Sequence, residues 1–273
     1  MDRVLISGSF DDLKSRHMRF LQEAARLGPV HVLLWSDESV QALEGQSPKF
    51  PQEERQYFVE AVRYVSRVTL VDGPIERNTL PTRYGSGPAI WVVQQSEDHA
   101  DKRAFCEANG FQYRVIKDDH LKGFPEHPAD ESSTASSRKK VIVTGCYDWF
   151  HSGHVRFFEE VSELGELYVV VGHDDNIKLL KGEGHPMYSE SERRYMAGSI
   201  RYVNQALVST GNGWLDAEPE IEKIKPDIYA VNEDGDKPEK REYCEANGID
   251  YRLLKRTPKE GLPKRQSTDL RGF

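Results

Sequence analysis

The stretch that decides the fold occurs twice. VLISGSFDDLKSRHMRFLQEAARLG runs from Val4 to Gly28, and VIVTGCYDWFHSGHVRFFEEVSELG runs from Val141 to Gly165. Each begins as a short apolar run that stops at a glycine, the pattern of a strand buried on both faces of a parallel sheet. The residues after that glycine have a different period. Val155, Phe158, Val161 and Leu164 recur at helical spacing, with Gly165 predicted as the helix C-cap. The unit reads strand, turn, helix.

Working outward, the duplication extends over the whole chain. Asp11 pairs with Asp148 at an offset of 137, and EERQYFVEAVRYV returns as SERRYMAGSIRYV with Arg63 against Arg201 at an offset of 138. DKRAFCEANGFQYRVIK returns as EKREYCEANGIDYRLLK, with Cys106 against Cys244 at the same offset of 138. Three blocks in one order at near-constant spacing mark two copies of one domain, expected at 1–126 and 141–273. Between them HPADESSTASSRKK, from His127 to Lys140, is polar and Ser-rich and reads as a flexible linker. Within the second copy LYVVVG is the next strand, SESERRYMAGSIRYV the next helix and DIYAV a later strand. The fold class is therefore α/β: two tandem Rossmann-like, doubly wound parallel sheets, with ligands expected at the carboxyl ends of the strands.

Composition narrows the function. Across 273 residues the net charge is −8, which argues against broad contact with a nucleic-acid backbone and leaves room for one local basic pocket. The three cysteines, Cys106, Cys146 and Cys244, show neither metal-ligand spacing nor an even disulfide framework, as in a reducing compartment. No apolar run reaches the roughly 18–20 residues of a membrane span. The expectation is a cytoplasmic protein that engages neither membrane nor nucleic acid.

The chemistry is concentrated in GCYDWFHSGH, from Gly145 to His154, where the first strand of the second copy hands over to its helix. Helix N-terminal amides exposed there favour phosphate. His151 and His154 lie three apart on the first turn, and each imidazole can donate a hydrogen bond to a phosphate oxygen, more strongly if protonated. Gly153 between them keeps the backbone close to whatever lies above.

This segment resembles the HxGH signature of the cytidylyltransferase-like nucleotidyltransferases. That superfamily includes the glycerol-3-phosphate, phosphocholine and phosphoethanolamine cytidylyltransferases and the adenylyltransferase domain of ADP-heptose synthase. Further blocks come in the family's order: LKGEGHP from Leu180, ERRYMAGSIRYV, AVNEDGD, and KRTPKEGLPKRQSTDLR from Lys255 to Arg271. The resemblance implies in-line attack by a substrate phosphate on the α-phosphorus of a nucleoside triphosphate, with pyrophosphate leaving and no covalent enzyme intermediate. It implies that His151, His154, Lys181 and Arg256 are the catalytic set. It places Gly145, Cys146, Tyr147, Asp148, Gly153, Arg201, Ser267 and Thr268 on the nucleotide, and Asp174, Arg193, Asp234 and Asp236 on the acceptor. It implies Mg²⁺ accompanying CTP, with no metal ligands assigned in the chain. For Asp148 and Arg201 a structural role stands open as well, because Asp11 and Arg63 match them in the other copy. One departure is the inserted loop PKEGLPKRQ between Thr257 and Ser267, which brings Lys259, Lys264 and Arg265 toward the phosphates, as a lid or as part of acceptor recognition.

The first copy has lost this apparatus. At the equivalent turn Lys14 replaces the first histidine and Arg16 the glycine, while only His17 survives; Glu44 stands where the second copy has Lys181. The Ser-Thr ending is absent. This half is expected to be non-catalytic and to act as an intramolecular pseudo-dimer partner, with an anion or effector site at Lys14, Arg16 and His17 as the competing idea and a further homodimer left open. The leading function is transfer of CMP from CTP to a small phosphorylated alcohol. The alternatives are adenylyl transfer from ATP to a sugar phosphate, favoured by LKGEGHP and DGDKPE, and a non-catalytic nucleotide-binding regulator.

Overall fold

The computed structural model describes residues 2–81, 88–127 and 137–270. Most of the expected linker, 128–136, and Arg271 of the closing signature lie outside the described residues, as do the side chains of Thr268 and Asp269. The chain divides into two compact units at Gly123/Phe124. That is three residues before the boundary expected from sequence, because Phe124 and His127 pack on Tyr195 of the second unit, with ring centroids 5.9 and 5.4 Å apart.

The first unit contains β1 (Arg3–Gly8), α1 (Ser15–Ala25), β2 (Val30–Trp35), α2 (Asp37–Glu44), α3 (Gln52–Ala61), β3 (Val65–Val71), β4 (Ala89–Gln94), α4 (Ala100–Asn109) and β5 (Gln112–Ile116). The second contains β6 (Lys140–Gly145), α5 (Ser152–Ser162), β7 (Glu166–Val171), α6 (Asp174–Lys181), α7 (Glu190–Gly198), β8 (Val203–Val208), α8 (Glu218–Ile224), β9 (Ile228–Asn232), α9 (Pro238–Ala246) and β10 (Asp250–Leu254). Each sheet has five strands, ordered β3-β2-β1-β4-β5 and β8-β7-β6-β9-β10, which is one topology twice. Every strand pairing is parallel. All six residues of β2 are buried, as sheets covered on both faces demand.

Strand order reverses between β6 and β9, and there the ladder is short. Only Val141↔Ile228 and Ile142↔Tyr229 pair, so the carboxyl halves of the two strands diverge and leave a crevice. β1 and β4 behave alike, pairing only through Leu5↔Trp91. Beneath the crevice of the second unit Ile142, Val170, Ile221, Tyr229, Val231 and Cys244 form one core cluster. Cys106 and Cys244 are both core residues, and burial raises each thiol to about 11.

Gly165 is not the C-cap expected of it. α5 ends at Ser162 and is capped by Glu163 in right-handed geometry. A Cβ on Gly165 would sit 2.1 Å from the carbonyl oxygen of Lys139, so the glycine permits close approach of the chain entering β6. Gly28 repeats this against Asp2, at 2.2 Å.

Candidate active site

The turn after β6 is built around a residue forced into left-handed conformation. Tyr147 has φ of 54°, and its counterpart Phe10 has φ of 48°. For a bulky side chain this costs on the order of 1–3 kcal/mol and persists only where surroundings impose it. Here the ring folds back over Gly145, where a Cβ would meet Tyr147 Cζ at 2.8 Å. Tyr147 is buried and packs edge-on against His154 and Phe158, with centroids 5.4 and 5.3 Å away. It backs the histidine rather than lining the crevice.

The histidines are held by the helix they start. His151 is the N-cap of α5, and its Nδ1 accepts the Gly153 amide at 3.1 Å. Nδ1 of His154 accepts the His151 amide at 3.3 Å. A ring nitrogen that accepts from a backbone N–H carries no proton, so in each neutral imidazole the proton sits on Nε2. Burial holds His151 down to about 3, with the charges of Arg256 and Arg265 acting in the same direction. Burial likewise drives His154 well below the ordinary histidine value, helped by His151, Arg256 and Lys181. Two neutral, oriented Nε2–H donors result, where protonated rings were the stronger option on sequence grounds. The ring centroids are 4.0 Å apart. Gly153 makes this possible, since a Cβ there would lie 2.9 Å from the His151 ring.

Around the pair stand the cations. Lys181 is the last residue of α6 rather than part of a loop, and it is exposed. Its charge acts on both His154 and the half-buried Cys146 thiol, which burial pushes up. Arg256 donates to Asp234 at 2.6 Å and to the Arg265 carbonyl at 3.1 Å. Ser267 closes the arrangement: its hydroxyl lies 3.4 Å from His151 Nε2 and 3.4 Å from the Trp149 carbonyl. With the tautomer fixed, His151 donates to Ser267 and Ser267 donates to Trp149. Ser267 opens a short 3₁₀ turn, Ser267–Leu270. The inserted loop packs on α5, with Lys259 paired to Glu159 at 2.8 Å, and leaves a hole of only about 20 Å³ beside Ser152, Gly153 and Arg265.

Other residues expected on a ligand are placed differently. Arg193 is 1% exposed, and its donors are engaged by Tyr188 O (2.9 Å), Cys146 O (2.6 Å), Gly172 O (2.8 Å) and Asp174 Oδ1 (2.7 Å). It ties three loops together and presents no fork to an acceptor. Asp174 therefore has one oxygen on Arg193, and its side chain is 40% exposed at the start of α6. Asp148 is buried, and its carboxylate accepts the amides of Met187 (2.8 Å) and Tyr188 (3.0 Å), so it anchors the segment that leads into α7. Asp236 accepts from Arg241 at 2.8 Å and from Tyr251 at 2.9 Å, and the Arg241 guanidinium holds its carboxyl below the usual range. Arg201 precedes β8, at the amino end of the strands and hence opposite the crevice. Asp234 stays with the site through Arg256.

The same struts recur in the first unit. Arg55 donates to Phe50 O (3.0 Å), Trp35 O (2.9 Å), Asp37 Oδ1 (2.7 Å) and Ser9 O, and Asp11 accepts the amides of Lys49 and Phe50 at 2.7 and 3.0 Å. Asp98 accepts from Arg103 and Tyr113. Arg193, Asp148 and Asp236, each kept in both copies, thus hold the loops, whereas His151, Gly153, Lys181, Arg256 and Ser267 are particular to the second. Sequence reasoning missed one group: Lys240, buried on α9, donates to Thr144 Oγ1 at 3.2 Å, and Thr144 bonds Tyr229 at 2.6 Å across the β6–β9 gap. Its only sequence signal was Lys102 at the matching position.

Among the described residues no cluster of three or more His, Cys, Asp or Glu side chains is placed to hold a metal ion. No helix among them is long and apolar enough to cross a membrane.

Comparison with known proteins finds one family twice over. The cytidylyltransferase-like family profile matches residues 5–140 and again 142–271. An FAD synthase of Ferroglobus placidus is 35% identical over 125 residues, covering 45% of this chain and 78% of that enzyme. The bifunctional protein HldE of Campylobacter concisus is 34% identical over 107 residues, 38% of this chain and 22% of that protein. A crystal structure of a lipopolysaccharide core biosynthesis protein from Thermoplasma volcanium aligns with a TM-score of 0.37 at 24% identity, over 45% of this chain and 99% of that one.

Proposed function

The chain belongs to the cytidylyltransferase-like family, and on that premise we propose that its second domain transfers a nucleotidyl group from a nucleoside triphosphate to a small phosphorylated acceptor. The observation that carries this reading is the pair of oriented imidazoles after β6, that of His151 with its Nε2–H on Ser267, within reach of the charges of Lys181, Arg256 and Arg265. An acceptor phosphate oxygen attacks the α-phosphorus, a new P–O bond forms, the bond to the bridging oxygen breaks, and pyrophosphate leaves. This chemistry asks the protein for alignment and charge stabilisation rather than proton transfer, and neutral oriented donors supply that without a titration step. Mg²⁺ would be held chiefly by the triphosphate, as this ion is where few carboxylates converge, and would screen its charge. Arg256 would exchange Asp234, which is 62% exposed, for a phosphate; an exposed pair of this kind contributes little, about 0–1 kcal/mol.

CTP with a polyol, sugar or amino-alcohol phosphate is the first donor–acceptor pairing we propose. A second reading, adenylyl transfer from ATP, has its own support: relatives named FAD synthase make a product that carries an adenylyl group. Pyrophosphate release from CTP and ATP, assayed against FMN and a panel of phosphorylated polyols, sugars and amino alcohols, tests both. Release with one nucleotide and one acceptor class identifies the reaction. No release with either nucleotide across the panel would overturn the proposal in favour of a non-catalytic binder. In this reading the first domain contributes no catalytic group.

A further inference from the structure

The degraded turn of the first domain has not collapsed. Where β1 and β4 diverge, a cavity of about 160 Å³ remains, lined among others by Phe10, His17, Trp35, Glu44, Arg77 and Gln94. That is close to the volume of an engineered cavity of about 150 Å³ that admits a benzene ring. It is well below the roughly 300–1,000 Å³ of sites for larger ligands. The hole fits one flat ring system.

The cations at its rim are turned to partners within the domain. Lys14 is paired with Asp12 at 2.8 Å. Arg16, in the place of Gly153, is drawn to Asp118 at 2.5 Å and to Gln94 at 3.2 Å. Lys102 is turned onto the Glu97 carbonyl at 3.0 Å. Arg77 lies 5.7 Å over the Trp35 ring and donates to the Leu43 carbonyl at 3.0 Å. Every cation of the rim thus has a partner inside the domain, and Glu44 adds negative charge where the second copy has Lys181. Lys14 and Arg16, two of the three residues of the competing anion site, are not among the residues that line the cavity.

What remains suits an uncharged heterocycle. Phe10 and Trp35 line the cavity with aromatic surface, which suits a planar ligand. His17 keeps the geometry of its counterpart: Nδ1 accepts the Lys14 amide at 2.9 Å, which leaves Nε2–H as a donor. Burial lowers its pKa, so this donor is neutral. Glu44, also in the lining, supplies an acceptor. We infer that the first domain binds a nucleobase, free or as the base of a nucleoside, in this cavity and without phosphate contacts.

Calorimetric titration of the full chain with adenine, cytosine, adenosine and cytidine tests this, with inorganic tripolyphosphate as competitor. The expected result is saturable binding of at least one base or nucleoside at one site per chain, undisturbed by tripolyphosphate. Ser9→Phe, which fills the cavity from its rim, should weaken that binding at least tenfold. Glu44→Gln, at an exposed position, should weaken it severalfold and guards against a folding defect in the first variant. Absence of binding up to millimolar concentrations, binding that Glu44→Gln and Ser9→Phe both leave unchanged, or displacement by tripolyphosphate would each overturn the inference. Pyrophosphate release by the second domain is read separately, so failure of one assignment does not carry the other with it.

Discussion

Replacing Arg193 separates a strut from a substrate clamp. Its guanidinium is 1% exposed and donates to three carbonyls and to the Asp174 carboxylate at 2.6–2.9 Å. Hydrogen bonds from a charged donor contribute about 1.5–3 kcal/mol each, and losing one partner of a buried ion pair costs about 3–5 kcal/mol. Because the four bonds are coupled they do not sum, and Arg193→Met should destabilise the second domain by about 3–5 kcal/mol. At about 2–4 °C per kcal/mol for a domain near this size, its melting transition should fall by roughly 10 °C. Arg193→Lys keeps the charge but has three donors on one atom and cannot span four acceptors, so about half that loss is expected. Arg55, with the same four types of partner in the first domain, is the internal control. Arg55→Met should lower the first domain's transition by a similar amount. Thermal unfolding followed by calorimetry reads both, alongside turnover at a temperature where each variant is folded. Unchanged stability in Arg193→Lys, combined with turnover lowered by orders of magnitude, would refute the strut and restore Arg193 as an acceptor ligand.

Three further outcomes are expected. His151→Asn should retain the helix cap, since Asn caps well, yet remove the Nε2 donor. Turnover should drop roughly 10²–10³-fold with melting little changed, and near-normal turnover would remove His151 from the reaction. Gly153→Ala puts a methyl 2.9 Å from the His151 ring. Stability should hold while turnover falls roughly 10²-fold through a misplaced donor, and a wild-type rate would show that the ring position is not critical. The folded-state pKa of His151 is about 3, against an ordinary value of 6.5. The unfolded chain therefore binds the extra proton between these values, and stability must fall as pH drops through that window, by about 1.4 kcal/mol per unit for His151. His154 acts in the same direction. Denaturant titrations from pH 7 to 4 should show this slope, reduced by one proton in His151→Asn; a stability that rises on acidification would mean the rings are protonated in the native state.

The strand–turn–helix unit was legible because burial on both faces and helical periodicity leave distinct marks, and β6 with α5 falls where those marks lie. Gly165 was misread because a helix-ending glycine and a glycine demanded by a neighbouring carbonyl look identical in one dimension. The site divides along a clear physical line. Motif position tells which sheet edge a side chain occupies but not which way its polar atoms turn, so Arg193 and Asp236, expected on the acceptor, hold loops instead, and of the two roles open to Asp148 the geometry matches the structural one. The expectation for Arg201 follows from the resemblance of its helix motif, and that helix carries the chain to the amino edge of the sheet. The duplication holds the signal that separates the roles. Arg55, Asp11 and Asp98 persist in a half that lacks the histidine pair, and there they hold the loops as their counterparts do. Lys181, His151 and Arg256 have no such twins, and they are the ones whose charges and rings act on each other. The cavity at Phe10 and Trp35 was beyond reach, since whether a turn stays open after losing its ligand depends on packing rather than pattern.

The first turn of α5 and the two imidazole donors are made of the same atoms, which ties readiness to local order. Fraying at that helix end, an event that most proteins tolerate at little consequence, would here release both rings from their amides and erase their aim together. The amides of His151 and Gly153 are therefore natural reporters: their hydrogen-exchange rates measure the fraction of molecules in which the pocket is disarmed.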